Sequence, residues 1–337
     1  MIPYALLYSS FVFSFSLMEY ASGAKKPKAS KIYLTLLPIY IFSILYAGYI
    51  GTDAKNYNFL YLNAYENWLE PGYSFLMILS QELGLSFRAF SVTISIFQLI
   101  LLSLIVNRLK DPLIFIFLYF SMFYLNFHFN ALRNSVSLLI LGVLYVRFGK
   151  SGFISLILSI LFHYSAIFAV FLQKISLFRR TLVSTFIILI LFAAFSLAWL
   201  YPAMLDAILP KNLFYRAYLD LVYPSKNFYP SLLIKLVIVF ILLKNYGNRI
   251  LSISFALLTF AVHAYSPILS RLGDIVLFLI ILDACYKFHI TRFRRTVILT
   301  TYIVMLSSFL IPLNDCKSKG IGNWCIPSTD SAWKTLQ

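Results

Sequence analysis

The chain has 337 residues, of which 61% are hydrophobic, 18% aromatic and only 12% charged, and its formal net charge is +16. This composition excludes a soluble domain, because repeated apolar runs of about 17 to 22 residues are what bilayer-spanning helices require. The positive charge does not indicate nucleic-acid binding, since the basic residues cluster in short loops between the apolar runs. We therefore predict an all-α, polytopic integral membrane protein.

The first half of the chain is predicted to contain five spans, at about residues 2–20, 32–50, 88–106, 112–127 and 131–148. Lysines at positions 25–31 follow the first span, so the positive-inside rule places the amino terminus outside. Residues 51–87 then form an outer-face region. Within it, residues 74–87 are too short to span and are predicted to be an amphipathic helix at the interface.

Residues 152–173 are apolar enough for one span, but a single span would place the basic residues at 174–180 outside, against the charge bias of the other loops. A re-entrant hairpin of two short helices, turning at about His163, removes this conflict. Roughly twelve residues rising about 1.5 Å each would lift the turn past the midplane of a core about 30 Å thick. We therefore expect His163 in the outer half of the membrane.

Further spans are predicted at about residues 181–200, 231–244, 250–268, 272–286 and 296–312. Residues 201–230 and the tail at 313–337 are then on the outer face. The expected architecture is a single transmembrane domain over residues 1–337, with about ten spans, the hairpin and both termini outside. In the tail, Cys316 and Cys325 could form a disulfide or remain free thiols, whereas Cys285 is expected to be a buried thiol.

The stretch from Asn126 to Ser137 places an arginine where an apolar span begins. Asn130, Arg133, Asn134 and Ser137 follow i, i+3, i+4, i+7 spacing, so on one helix they would form a polar stripe. A charge at that depth costs a few kcal/mol unless it faces protein or water. Arg133 is therefore a functional candidate.

Other polar residues are predicted to gather on the same outer side, and little comparable gathers inside apart from basic loop residues and Asp283. The outer set comprises Asp53, Glu70, Asn126, His163, Lys226, His263 and Arg271. Arginines with aromatic neighbours suit a lipid-linked anionic substrate, because two arginines could hold a pyrophosphate. A carboxylate or histidine could accept a proton from an attacking sugar hydroxyl. The sequence shows no spacing typical of a metal site, so we expect no metal or other cofactor.

Each candidate also has a structural interpretation. Arg133 could extend to a lipid phosphate, and Arg271 and Asp274, three residues apart, could form an ion pair within one helix. His163 could cap the hairpin, and Asp53 could cap a short helix. Glu70 could be a turn residue, and Lys226 could provide general electrostatic attraction. His128 and His263 could be structural histidines.

Five stretches carry a resemblance to a known family: G-T-D-A-K-N-Y, L-E-P-G-Y-S-F-L-M-I-L-S, N-F-H-F-N-A-L-R-N-S-V-S, F-H-Y-S-A-I and S-R-L-G-D-I. Over about residues 45–285 the chain resembles the EpsG family of Wzy-type bacterial polysaccharide polymerases. One departure is that members often read I-R with a glutamine soon after, where this chain has Leu132, Arg133, Asn134 and Ser135. The arginine is kept, so the departure concerns substrate preference more than the reaction.

The resemblance implies a GT-C-like glycosyltransferase in the bacterial inner membrane. It would join undecaprenyl-pyrophosphate-linked oligosaccharide repeats into O-antigen, capsule or exopolysaccharide at the outer face. Its expected partners are the lipid-linked donor and acceptor and membrane lipid, and the resemblance also suggests a chain-length regulator. Two rivals stay open: a flippase for the same lipid-linked saccharide, which would also need a basic cavity and broken helices, and a ligase moving glycan from that carrier.

For the polymerase, the predicted catalytic residues are Asp53, Arg133, His163 and Arg271. The two arginines would hold the departing pyrophosphate, and Asp53 or His163 would be the base. The predicted substrate-binding residues are Glu70, Tyr73, Asn126, Asn130, Asn134, Lys226 and Asp274.

Overall fold

A computed structural model describes residues 2–22, 29–51, 53–66, 70–148, 153–164, 166, 267–288, 290, 294–303 and 305. Across these ranges the regular structure is helical and no β-strand occurs, which confirms the predicted all-α class. The α-helices are α1 (Ile2–Ser22), α2 (Ala29–Tyr46), α3 (Ala54–Leu62), α4 (Pro71–Glu82), α5 (Phe87–Val106), α6 (Pro112–Tyr119), α7 (Leu132–Phe148), α8 (Phe153–Ile160) and α9 (Pro267–Lys287). Residues 294–303 are also helical.

Helix α5 is the described helix that is long and apolar enough to cross a membrane. Its 20 residues would rise about 30 Å, the thickness of the hydrocarbon core. Ile96, Ile100 and Leu104, spaced by four, leave an exposed apolar row along it, as a lipid-facing helix would. Residues Lys31–Tyr46 and Pro112–Tyr124 are shorter apolar helices in the described part. The predicted number of ten spans therefore remains a prediction.

The described residues belong to two compact units, the first with residues 2–166 and 285–305 and the second with residues 267–284. In the first unit, α5 packs against α2 and α7, α1 packs against α2, and α7 packs against α8. Aromatic rings join α1 to α6, with Phe15 and Phe117 stacked at 4.3 Å between centroids. Such packing is expected where polar groups are scarce and contact between side chains must hold the helices together.

The α6 region does not keep regular α-helical geometry. It continues as π-helix over Phe120–Tyr124 and Asn126–Asn130, and the Ala131 amide donates to the Asn126 carbonyl at 2.7 Å. Such i→i+5 turns are rare and occur often at functional sites. Residues 112–127 were predicted as an ordinary span. Helix α7 packs most extensively on α5 and α8, and it also contacts the second π-helical segment.

The outer region and the predicted hairpin are each observed in part. Residues 51–73 contain helix α3, and the helix predicted for residues 74–87 is observed as α4, which begins at Pro71 and ends at Glu82; its position at the interface remains a prediction. Helix α8 ends at Ile160 and the chain turns through residues 161–164, as the hairpin requires. The returning half, at about residues 167–173, lies outside the described residues.

A partly buried ionic cluster joins the far end of α1 to the start of α6. Arg294 donates to both carboxylate oxygens of Glu19, one of them at 2.7 Å, and to Asp111 Oδ2 at 2.5 Å. Asp111 also caps α6 through the Ile114 amide and accepts the Ile290 amide at 2.9 Å. Cys285 is a buried free thiol, as predicted, whereas Cys316 and Cys325 lie outside the described residues.

Candidate active site

Glu70 is the residue around which the site is built. It occupies the N-cap position of α4, directly before Pro71, whose fixed φ and missing N–H suit the first helical position. Its backbone carbonyl accepts the Ser74 amide at 2.9 Å, but its side chain makes no cap hydrogen bond. The carboxylate is therefore directed elsewhere, although it is only 1% exposed. A buried carboxylate requires partners, and two are present.

Arg133 and His163 converge on the two oxygens of the Glu70 carboxylate. Arg133 Nη1 donates to Oε2, and His163 Nδ1 lies 2.5 Å from Oε1. The three residues come from α4, α7 and the turn after α8. Arg133 lies in the first turn of α7, where the helix dipole disfavours a cation, so the carboxylate also offsets that cost.

A glycine allows α4 to approach the turn after α8 closely enough for this cluster. The Gly72 amide donates to the Leu161 carbonyl at 2.7 Å. A Cβ on Gly72 would lie 2.8 Å from that same oxygen, a separation that real Cβ atoms essentially never show. Glu70 and His163 each lie two residues from this contact along the chain. The hydrogen bond thus fixes the distance between the two elements that carry them.

Tyr73 packs α4, the helix that follows Glu70, against its neighbours. Its side chain is fully buried, packed between Tyr57 of α3 at 6.1 Å and Phe90 of α5 at 5.7 Å between ring centroids. Its hydroxyl has no hydrogen-bond partner among the described residues. In this position Tyr73 packs α4 against its neighbours, and its predicted contact with substrate remains a prediction.

Arg133 has binding capacity beyond its contact with Glu70. It also hydrogen bonds to Tyr57, but its Nε is buried without a partner in the described part of the chain. Guanidinium groups carry five donors in a planar fork, so a further oxygen ligand could be held beside Glu70. The side chain is 19% exposed and the His163 side chain 17% exposed. A ligand would therefore meet these two groups before it met the buried carboxylate.

The ionisation of Glu70 determines which His163 nitrogen carries hydrogen. Burial alone would raise the pKa of Glu70, but the hydrogen bond from His163 and the charge of Arg133 outweigh it and lower that pKa below 4.5. An ionised carboxylate only accepts hydrogen bonds, so Nδ1 of His163 must be the donor. A neutral His163 then carries its lone pair on Nε2, the tautomer that a general base requires.

The structure also places Asp53 and the predicted asparagines. Asp53 is at the N-cap position of α3, one turn before Tyr57, and its side chain makes no cap hydrogen bond. Gly51, at φ +115°, brings this loop against the π-helix, where a Cβ would lie 2.8 Å from Asn130 Oδ1. Asn130 is separated from α7 by Ala131, so the predicted stripe does not lie on one continuous helix.

The remaining members of the predicted stripe and of the predicted set are placed as follows. Asn134 is buried in α7, and Ser137 donates to the Ser159 carbonyl at 2.8 Å, which ties α7 to α8. Asn126 is half-buried and begins the second π-helical segment. Arg271 and Asp274 lie on α9, where Asp274 is buried. Lys226 and His263 lie outside the described residues.

Comparison with known proteins identifies the family. A model of the EpsG family matches residues 30–314, which is most of the 337-residue chain. The chain belongs to the EpsG family. This family comprises Wzy-type polysaccharide polymerase-like proteins, so the resemblance read from the sequence is confirmed. No curated protein and no solved structure matches the chain.

In this EpsG-family chain, the sequence did not point to two contributors to the site, Tyr57 and Gly72. Tyr57 was one tyrosine among many, although its i, i+4 spacing from Asp53 indicated a shared helix face. The positioning role of Gly72 was hidden, although Pro-Gly after an acidic residue marked a helix start. Glu70 was expected to bind substrate rather than two side chains. Among the described residues, no group of three His, Cys, Asp or Glu side chains could hold a metal ion.

Proposed function

We propose that this EpsG-family protein is a polymerase glycosyltransferase that joins undecaprenyl-pyrophosphate-linked oligosaccharide repeats at the outer face of the bacterial inner membrane. The observation that carries the proposal is the pairing of Arg133 and His163 on the buried Glu70 carboxylate. It is supported by the family match, which indicates polysaccharide synthesis by a membrane protein.

The charges of the cluster suit an anionic leaving group. Arg133 contributes one positive charge and Glu70 one negative charge, so the cluster is neutral when His163 is neutral and carries +1 when His163 is protonated. Glu70 is buried beneath its two partners and would not face the ligand. A pyrophosphate could use the remaining donors of Arg133, including Nε, while Glu70 holds the guanidinium in place.

The proposed reaction is a displacement at the anomeric carbon of the growing chain. The oxygen of an acceptor hydroxyl forms a new bond to that carbon, and the bond from the carbon to the pyrophosphate oxygen breaks. The electron pair leaves with undecaprenyl pyrophosphate, next to Arg133. The hydroxyl proton passes to Nε2 of His163, whose Nδ1 hydrogen bond to Glu70 stabilises the cation that forms.

The other predicted residues keep subsidiary roles in this proposal. Arg271 would be the second arginine on the pyrophosphate, and Lys226 would attract the anionic carrier. Asp53 is the alternative base, because it lies one turn from Tyr57, which contacts Arg133. Asn126, Asn130, Asn134 and Asp274 would bind sugar hydroxyls.

Reconstitution tests the proposal directly. Purified protein in liposomes, supplied with the lipid-linked repeat of its own strain, should produce a ladder of polymers on a gel. Arg133→Gln and His163→Gln should each reduce the rate by about 10²-fold to 10³-fold, as loss of an electrostatic or proton-transfer group does. Arg88→Gln is the matched control, because Arg88 lies near the outer end of α5 and stacks on Tyr49 at 4.3 Å. A normal ladder from Arg133→Gln would refute the proposal.

A strain lacking the protein separates the three functions that the sequence left open. Single repeats on the cell surface indicate a missing polymerase. Full-length chains still attached to the carrier indicate a missing ligase, and repeats trapped inside the cell indicate a missing flippase. We expect the first result.

A further inference from the structure

A second, smaller site lies beside the cluster. A small cavity of about 10 Å³ is lined by the residues that follow α2, by α3, by the first turns of α5 and by the π-helix. Tyr57 and Leu132 belong to its lining. Tyr57 is the residue that contacts Arg133, and Leu132 precedes Arg133 in the chain. The cavity therefore adjoins the proposed pyrophosphate site.

Two polar atoms on the cavity wall have no partner in the described part of the chain. Nδ1 of His128 is buried and unpaired, although Nε2 of the same ring lies 3.0 Å from the Tyr119 hydroxyl. The Ser95 hydroxyl is also buried and unpaired. Both side chains are 1% exposed and both line the cavity. Leaving a buried polar atom unpaired is unfavourable, so two such atoms on residues that line one cavity indicate a ligand that completes their hydrogen bonds.

The lining limits what that ligand can be. Among the described residues that line the cavity, none carries a charged side chain that would balance a buried ionic group. The space admits a group about the size of a water molecule, rather than a whole sugar ring. A serine hydroxyl can donate and accept, and an imidazole nitrogen can do either according to its tautomer. A single hydroxyl group satisfies all of these conditions.

We propose that this cavity is a sugar subsite, which takes one hydroxyl group of the repeat unit while the pyrophosphate is held at Arg133. This inference rests on the proposed function. His128 and Ser95 recognise the neutral sugar, and Arg133 recognises the charged carrier. Because a polar site left unpaired rejects an analogue that lacks the matching hydroxyl, the subsite selects among repeat units.

Binding measurements with two ligands distinguish the sugar subsite from the pyrophosphate site. Binding to reconstituted protein is measured for the strain's own lipid-linked repeat and for undecaprenyl pyrophosphate, which carries no sugar. Ser95→Ala should raise the Kd of the repeat about threefold to tenfold, the worth of one hydrogen bond, and leave the Kd of the bare carrier unchanged. Its thermal stability should not fall, because the substitution removes an unpaired buried hydroxyl.

Ser103→Ala is the control. Ser103 lies two turns further along α5, outside the cavity, and its hydroxyl donates to the Leu99 carbonyl at 2.7 Å. This variant should bind both ligands as the wild type does. If Ser95→Ala also binds the repeat normally, the cavity holds only water and the subsite is refuted. If Arg133→Gln binds both ligands normally, the proposed function fails instead.

Discussion

Removal of the Glu70 carboxylate tests the central feature of the site. In Glu70→Ala, Arg133 and His163 lose their shared acceptor, and the Arg133 charge remains in a position that is only 19% exposed. Breaking a buried ion pair by removing one partner costs about 3 to 5 kcal/mol. Domains are typically stable by only about 5 to 15 kcal/mol, so the loss would be a large share of the total. We therefore expect a clear decrease in unfolding temperature in detergent, together with loss of polymerisation.

The size of that effect can be assigned to the ion pair with a double-mutant cycle. Glu70→Gln and Arg133→Gln should each destabilise the protein, because each leaves the other group without its charged partner. The double variant should lose less than the sum of the single variants, with a coupling energy of about 1 to 3 kcal/mol. Thermal unfolding of all four proteins in one detergent gives the measurement. Additive losses, or a loss below about 0.5 kcal/mol for Glu70→Ala, would refute the reasoning.

Further predictions concern pH, close packing and the ionic cluster of Glu19, Asp111 and Arg294. Burial opposes the ionisation of Glu70, but His163 and Arg133 lower its pKa below 4.5. The carboxylate should therefore stabilise the fold fully above about pH 4.5, and this stabilisation should be lost as pH falls through the lowered pKa. The unfolding temperature of Glu70→Gln should lack this pH dependence. Gly72→Ala should lower the free energy of unfolding by about 1 to 3 kcal/mol and reduce polymerisation. A Cβ on Gly84 would meet nothing within 4 Å, so Gly84→Ala should lower the free energy of unfolding only through the strain of its positive φ and leave polymerisation intact. Arg294→Met should lower the unfolding temperature strongly and Arg295→Met little, because only the first guanidinium is bound to buried Asp111 while Arg295 is exposed.

The helical class and the local position of several site residues could be predicted because they depend on short-range patterns. Apolar runs predicted α5 to within a residue at its start and correctly at its end. The charge conflict around residues 152–173 predicted a turn at His163, and α8 ends three residues before it. Arg133 was a functional candidate because a cation in an apolar span is energetically unfavourable. Each of these inferences used a window of about twenty residues.

The partners of these residues could not be predicted, because they are distant in sequence. Glu70 is separated from Arg133 by 63 positions and from His163 by 93. Periodicity gives the face of a helix but not which helix lies opposite, and here α7 packs most extensively on α5 and α8. The π-helical turns were also beyond prediction, because they arise where tertiary packing overrides the local preference for α-helix. Because of these turns, Asn130 does not lie on the helix that carries Arg133.

The four residues E-P-G-Y show how one short segment can organise a site. Glu70 binds Arg133 and His163, Pro71 starts the helix, Gly72 permits the contact with Leu161, and Tyr73 packs the helix onto α3 and α5. Rigid support of this kind matters because charge stabilisation depends on groups that are already in position before reaction. A substitution anywhere in the segment should therefore impair the same step, although only Glu70 contacts the groups assigned to chemistry.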